Sequence, residues 1–292
     1  MKVARAAGLP IAFAAAAFAQ PPDKSPAARN AAVDLPMAPP ASAKLAWHDE
    51  FDEPGQPDST RWRYDTAFNK HGWFNGERQY YAARRLENAR VENGKLIITA
   101  RRERLSGEPD YGGQDYSSAR LDTKGLAQWA YGFVEVRAKL PCGRGTWPAI
   151  WMLGTDDAAG WPAQGEIDIM EQVGWQPGVI HGTIHTKAYN HVLGTQIGAQ
   201  KSVPSACGAY HRYQLSWTPR RILIGVDGRA YMRFVNDGSS DRAHWPFDKP
   251  QYLILNLAIG GWGGQQGIDD SALPATMSVD YVRIWQRPHP GY

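Results

Sequence analysis

Short apolar-rich runs recur along the chain, each bounded by Gly, Pro, Asn or Asp. They cover residues 95–100, 132–140, 165–171, 179–186, 210–217, 221–226, 252–257 and 279–285. In the second run Val134, Val136, Ala138 and Leu140 alternate with Phe133, Glu135, Arg137 and Lys139. That period of two marks a strand buried on one face. No segment carries three turns of helical periodicity. Such runs bury their apolar faces most economically as two packed antiparallel sheets, so an all-β sandwich is expected.

The amino-terminal pattern is different. Lys2 and Arg5 precede a short apolar stretch, and Ala17-Phe18-Ala19 has the small-residue form of a cleavage site. Residues 1–19 therefore read as a signal peptide, cut near Ala19, and the chain as secreted or periplasmic. The stretch is too short to cross a bilayer, which takes about 20 apolar residues, and no membrane segment is expected. Residues 20–44 hold six Pro and seven Ala with little to bury, and are expected to form a flexible linker. One domain is expected over residues 45–287, with a tail at 288–292.

Composition narrows the partners. Thirty-two Lys plus Arg stand against 29 Asp plus Glu, without long runs of either sign, which leaves no footprint for nucleic acid. The excess is aromatic, with 12 Trp and 13 Tyr, and suits stacking on flat apolar faces such as sugar rings. Cys142 and Cys207 are the only cysteines. Two exclude a Cys-rich zinc site; in an oxidising compartment they can pair, although their spacing does not show that their Cβ atoms meet.

The chemistry concentrates in Glu166-Ile-Asp-Ile-Met-Glu171. On an extended strand Glu166 and Asp168 share a face, and strict alternation would send Glu171 into the core. A β-bulge at Ile169-Met170 would return Glu171 to the face of the other two. Three carboxylates together cannot all ionise comfortably, so mutual repulsion should raise at least one pKa. That condition serves acid-catalysed glycoside hydrolysis, whereas the plainer readings are a calcium site or a solvated acidic face. Trp147, Trp151, Trp161 and Trp175 all lie close to the acidic strand in sequence. His181, His185 and His191 have a zinc-protease spacing, but Gly182 stands where the general base would be, and the segment is strand-like.

With these residues in view, the chain resembles the family-16 glycoside hydrolases, in particular the bacterial laminarinase-like endo-β-1,3-glucanases. The resemblance runs from Trp47-His-Asp-Glu-Phe51 to Val279-Asp-Tyr-Val-Arg-Ile-Trp285. Its markers include Asn75-Gly-Glu-Arg-Gln-Tyr-Tyr81, Gly145-Thr-Trp-Pro-Ala-Ile-Trp-Met-Leu153 and the acidic strand with its inserted Met170. It implies a β-jelly roll with an open concave cleft that takes a β-glucan polymer. It also implies Glu166 as nucleophile, Glu171 as acid/base and Asp168 as the assisting carboxylate. Sugar-contacting positions would be Asn75, Arg120, Trp147, Trp151, His185, Asn256 and Trp262. Gly76-Glu77-Arg78 departs from relatives, which often carry a second Asn and then Glu-Leu.

The resemblance also implies a structural Ca²⁺ at Glu53, Gly94 and Asp280, the first two through backbone carbonyls, away from the chemistry, which needs no cofactor. A monomer is expected. The resemblance also admits a transglycosylase, a hydrolase of another β-glucan or of a galactan, and a non-catalytic β-1,3-glucan-binding domain; the last lacks the catalytic glutamates that this chain keeps.

Overall fold

Each of the eight apolar runs forms a strand in a computed structural model that describes residues 32–288. The strands make two sheets. In spatial order the larger contains Leu35–Pro36, Arg229–Val235, Arg221–Val226, His211–Thr218, Gly132–Lys139, Ala275–Gln286, Leu96–Arg102, Tyr116–Ser118 and Gln79–Tyr81. Lys44–Asp49 pairs with Ala275–Gln286, and Ala89–Val91 with Leu96–Arg102. The smaller sheet runs Ile197–Ser202, Val179–His185, Glu166–Glu171, Thr146–Gly154, Gln251–Ile259, Arg120–Asp122 and Arg63–Tyr64. All pairings are antiparallel except that of Gln79–Tyr81 with Tyr116–Ser118. Helical structure among the described residues is confined to four short 3₁₀ turns.

Alternation decides what fills the space between the sheets. Ile150, Met152, Ile167, Ile180, Ile184, Leu253, Leu255 and Leu257 are buried there with Val134, Val136, Leu215, Ile222, Ile224, Val282 and Ile284. The opposite face of the smaller sheet is left to Glu166, Asp168, Trp147, Trp151, His181 and His185. Gly182 lies on the inward side, where a Cβ would come within 2.7 Å of the Tyr231 hydroxyl and 2.8 Å of Ile224. No glutamate fits at 182.

The expected linker is corrected over its described part. Leu35 and Pro36 pair in register with Ala230 and Arg229, extending an otherwise bare sheet edge. Met37 is buried beside Phe133 and Leu223, with Val33 and Leu35 packed against them. Asp34 pairs with Arg229 at 2.6 Å. Val33, Leu35 and Met37 are an alternating apolar triplet that the surrounding Pro and Ala conceal, so the ordered domain begins before residue 45. The expected signal peptide, the first part of the expected linker and residues 289–292 lie outside the described residues.

Cys142 and Cys207 are joined in a disulfide, with their Cα atoms 5.8 Å apart. Gln172, the residue after Glu171, donates to the Pro141 carbonyl at 2.9 Å and accepts from the Gly178 amide at 2.9 Å. Gln172 thus fixes the loop that enters Thr146–Gly154 against the end of the acidic strand, and the bridge ties that loop to Cys207.

Candidate active site

The bulge expected at Ile169-Met170 is present. Trp151 pairs with Asp168 and Ala149 with Glu171, while on the other side Thr183 pairs with Asp168 and His181 with Glu171. Two residues of the acidic strand therefore face the single Gly182. Ile167, Ile169 and Met170 are fully buried, and Glu171 is returned to the face of Glu166 and Asp168.

An indole N–H reaches each glutamate. Trp161 Nε1 donates to Glu166 Oε2 at 3.0 Å, and Trp147 Nε1 donates to Glu171 Oε1 at 3.0 Å. The Thr183 hydroxyl is a second donor to Glu171. His185 Nε2 lies 3.4 Å from Asp168 Oδ2 and 3.6 Å from Glu166 Oε1. His191 stands edge-on to His185, and its ring lies 4.9 Å from that of Trp161. Trp262 meets Trp147 at 5.9 Å and His181 at 4.7 Å, both edge to face. Trp147, Trp262 and His181 thus gather at the Glu171 end of the site, and Trp161, His185 and His191 at the Glu166 end.

A relay of hydrogen bonds supports the adjoining wall. Trp151 Nε1 donates to Asn256 Oδ1 at 2.7 Å, Asn256 Nδ2 donates to the Tyr81 hydroxyl at 3.0 Å, and Tyr81 donates to Glu77 at 3.2 Å. Gln79 also donates to Glu77, at 2.8 Å. Arg120 lies 2.9 Å from Asp65, with its guanidinium 5.1 Å from the Trp73 ring and 4.8 Å from that of Trp151. Both ends of the Asn256 amide are engaged by protein, and the Arg120 charge has an internal partner. As placed, these two residues hold Trp151 between them. Asn75 is exposed in the turn Phe74–Gly76 at a positive φ of 59°.

Trp161, Thr183, Tyr81 and Glu77 were not among the expected site residues. Trp161 was visible only as a tryptophan near the acids, and its reach to Glu166 depends on a loop that no periodicity describes. Thr183 could have been found, since it shares a strand face with His181 and His185. Tyr81 and Glu77 lie within a matched motif, yet the contact of Tyr81 with Asn256 crosses between distant parts of the chain.

Burial raises the pKa of all three carboxyl groups and is the largest cause in each. Repulsion comes second for Glu166 and Asp168, so mutual charge is a lesser effect than the sequence suggested. Asp168 is pushed well above the carboxylate range and is hydrogen-bonded to Glu166, which is itself raised to about 8. That hydrogen bond raises Asp168 and lowers Glu166, so it favours the proton on Asp168 and the charge on Glu166. Burial, with His191 nearby, lowers His185 to about 4, and burial also lowers His181. Both imidazoles are neutral at physiological pH and cannot serve as counter-charges.

A stability measurement checks this electrostatic picture. Glu171 is raised to about 7, so the native state holds its proton more tightly than the unfolded chain does. Stability should fall as pH rises from the ordinary carboxylate range through about 7. Glu166 and Asp168, raised by the same burial, keep their share of the loss in both proteins, but Glu171→Gln lacks the share that Glu171 contributes. Its melting temperature should match wild type near pH 4 and exceed it by about 5 °C above pH 8. A constant offset at every pH would remove burial of the charge as the cause.

The expected calcium positions include an ion-paired carboxylate. Asp280 is held by Arg137 and lies 3.8 Å from Lys95, while Glu53 and Gly94, expected to bind through their carbonyls, are exposed. His181, His185 and His191 do not make a zinc site. Among the described residues the one cluster with metal-like proximity is Glu166, Asp168 and His185.

A two-sheet sandwich with buried carboxyls set among indoles on one open face defines a carboxylate-based glycoside hydrolase. The chain belongs to the glycosyl hydrolases of family 16, whose model matches residues 76–283. It is 54% identical over 251 residues to a beta-glucanase of Rhodothermus marinus, covering 83% of this chain and 85% of that protein. Among solved structures, SCLam is a non-specific endo-beta-1,3(4)-glucanase with 62% identity and a TM-score of 0.87. That match covers 88% of this chain and 96% of the other. The laminarinase of Rhodothermus marinus superposes with a TM-score of 0.79 at 52% identity, over 87% of this chain and all of its own.

Proposed function

We propose that this protein is a secreted endo-β-1,3-glucanase that works by a retaining double displacement. The observation that carries the reading is the bulge that places Glu166, Asp168 and Glu171 on one face, with separate indole donors for the two glutamates. In this reading Glu166 attacks the anomeric carbon. Asp168 keeps its proton and steadies the Glu166 carboxylate until the covalent bond forms. Glu171, held near neutrality by burial, protonates the leaving oxygen and then takes a proton from the incoming water. The reaction is complete with these carboxyls.

The β-1,3 linkage rests on the laminarinase and endo-β-1,3(4)-glucanase relatives. An open face floored by Trp147 and Trp151 suits internal cutting, because a polymer can lie across it without threading an end. Reducing-end release from laminarin, lichenan, agarose and carboxymethyl cellulose, side by side, tests the choice. Rapid release of mixed oligosaccharides from laminarin is expected, with lichenan second. Activity on agarose and none on laminarin would discard the linkage and keep the glycosidase. The disulfide supports export to an oxidising compartment. We propose a monomer, and hydrolysis as the main fate of the intermediate; mass spectrometry of laminarin products separates that from transfer to sugar.

A further inference from the structure

We propose that Phe68 and Phe74 form an additional sugar-binding platform, which takes a pyranose ring of the β-1,3-glucan beyond the walls described above. The proposal rests on the glucanase reading and names a place on the chain where that substrate is held. Phe74 is 58% exposed and Phe68 39%, and their rings meet at 4.6 Å and 60°. Two neighbouring aromatic rings left open to water form an apolar patch that an aqueous surface does not favour.

The pair is continuous with the site. Phe68 lies 5.7 Å from Trp73, the Arg120 guanidinium 5.1 Å from Trp73 and 4.8 Å from Trp151, and Trp151 is paired in register with Asp168. Trp73 and Arg120 are themselves largely buried, so these contacts seat the exposed pair directly against the wall that carries Trp151. Topology gives the track a direction. The loop bearing both rings follows Arg63–Tyr64, the last strand of the smaller sheet, while the acids lie toward the opposite edge. A chain lying across the strands from Glu166 past Trp151 arrives at Phe68 and Phe74.

The platform is also fixed in place. The Arg78 amide donates to the Ile259 carbonyl at 2.7 Å, and Glu77 forms a bridge with Gly260. These contacts tie the Phe74–Gly76 turn to the loop that carries Trp262. A ring held on an anchored turn can stack on the apolar face of a pyranose with little ordering cost.

Kinetics on laminari-oligosaccharides of increasing length test the proposal, using wild type, Phe68→Ala, Phe74→Ala and Phe74→Trp. For Phe74→Ala, kcat/KM should fall about three- to tenfold on long oligomers, through KM, and stay within about twofold on the shortest cleaved oligomer. Phe68→Ala should show the same length dependence, and Phe74→Trp should restore the wild-type profile. Retardation in laminarin-containing gels, measured in a Glu166→Ala background, reads binding without turnover and should weaken in parallel. Equal losses at every length, or none on long chains, would overturn the platform and leave the glucanase reading intact. If wild type neither cleaves nor binds laminarin, the parent reading falls and the platform falls with it.

Discussion

Glu166→Ala should lose hydrolysis by about 10⁴-fold or more while still binding laminarin. The loss is large because the substitution removes the bond-forming atom itself. Binding should persist because Trp147, Trp151 and Trp262 do not rely on Glu166 for their positions; they are held by partners that include Glu171, Asn256 and His181. Azide added with an aryl β-glucoside donor should restore turnover by entering the space the carboxylate vacates. Attack then occurs once, directly, and the glycosyl azide has inverted configuration. Asp168→Asn should be intermediate, since its amide can still donate to Glu166 although the proton it shared is gone. A Glu166→Ala enzyme that retained substantial hydrolysis would end the nucleophile assignment.

The acid cluster was legible because two periodicities collide in it. Strand alternation puts Glu166 and Asp168 outside and Ile167 inside, and only an extra residue keeps Glu171 out of the core. The bulge was therefore an energetic necessity before it was an observation. The sandwich was legible because each apolar run has a length typical of strands and ends at turn residues, with clear alternation at 132–140. Other features depend on contacts that span the sequence. Tyr81 touches Asn256 across 175 positions, and Trp161 reaches Glu166 from an irregular loop. Leu35–Pro36 adds to a sheet edge that its own composition does not disclose. Asn256 and Arg120 carry a related lesson. The family resemblance implies sugar contact for both, and the structure adds internal partners that no motif disclosed: Asp65 for Arg120, and Trp151 and Tyr81 for Asn256. Partner choice of that kind is set by tertiary packing, which local pattern does not encode.

Glu171→Ala should fail in a different way, and the difference identifies its role. General acid–base assistance is worth about 10²–10⁴-fold, so polymer hydrolysis should drop by roughly that factor. An aryl glycoside with a good leaving group needs little protonation, and its first step should be nearly spared. The glycosyl-enzyme on Glu166 should then accumulate, because no base activates water. Azide carries its own nucleophilic electron pair and needs no base. It should intercept the intermediate and give the glycosyl azide with retained configuration, opposite to the Glu166→Ala product. The wild-type pH profile should carry the same signature. Burial raises Glu171 to about 7, so activity on laminarin should decline as pH passes that range and the proton is lost. In Glu171→Ala the alkaline decline should disappear for aryl substrates. Anomeric configuration by NMR decides between the two glutamates: exchanged azide anomers would exchange their roles, and an inverted sugar from wild-type hydrolysis would exclude a covalent intermediate.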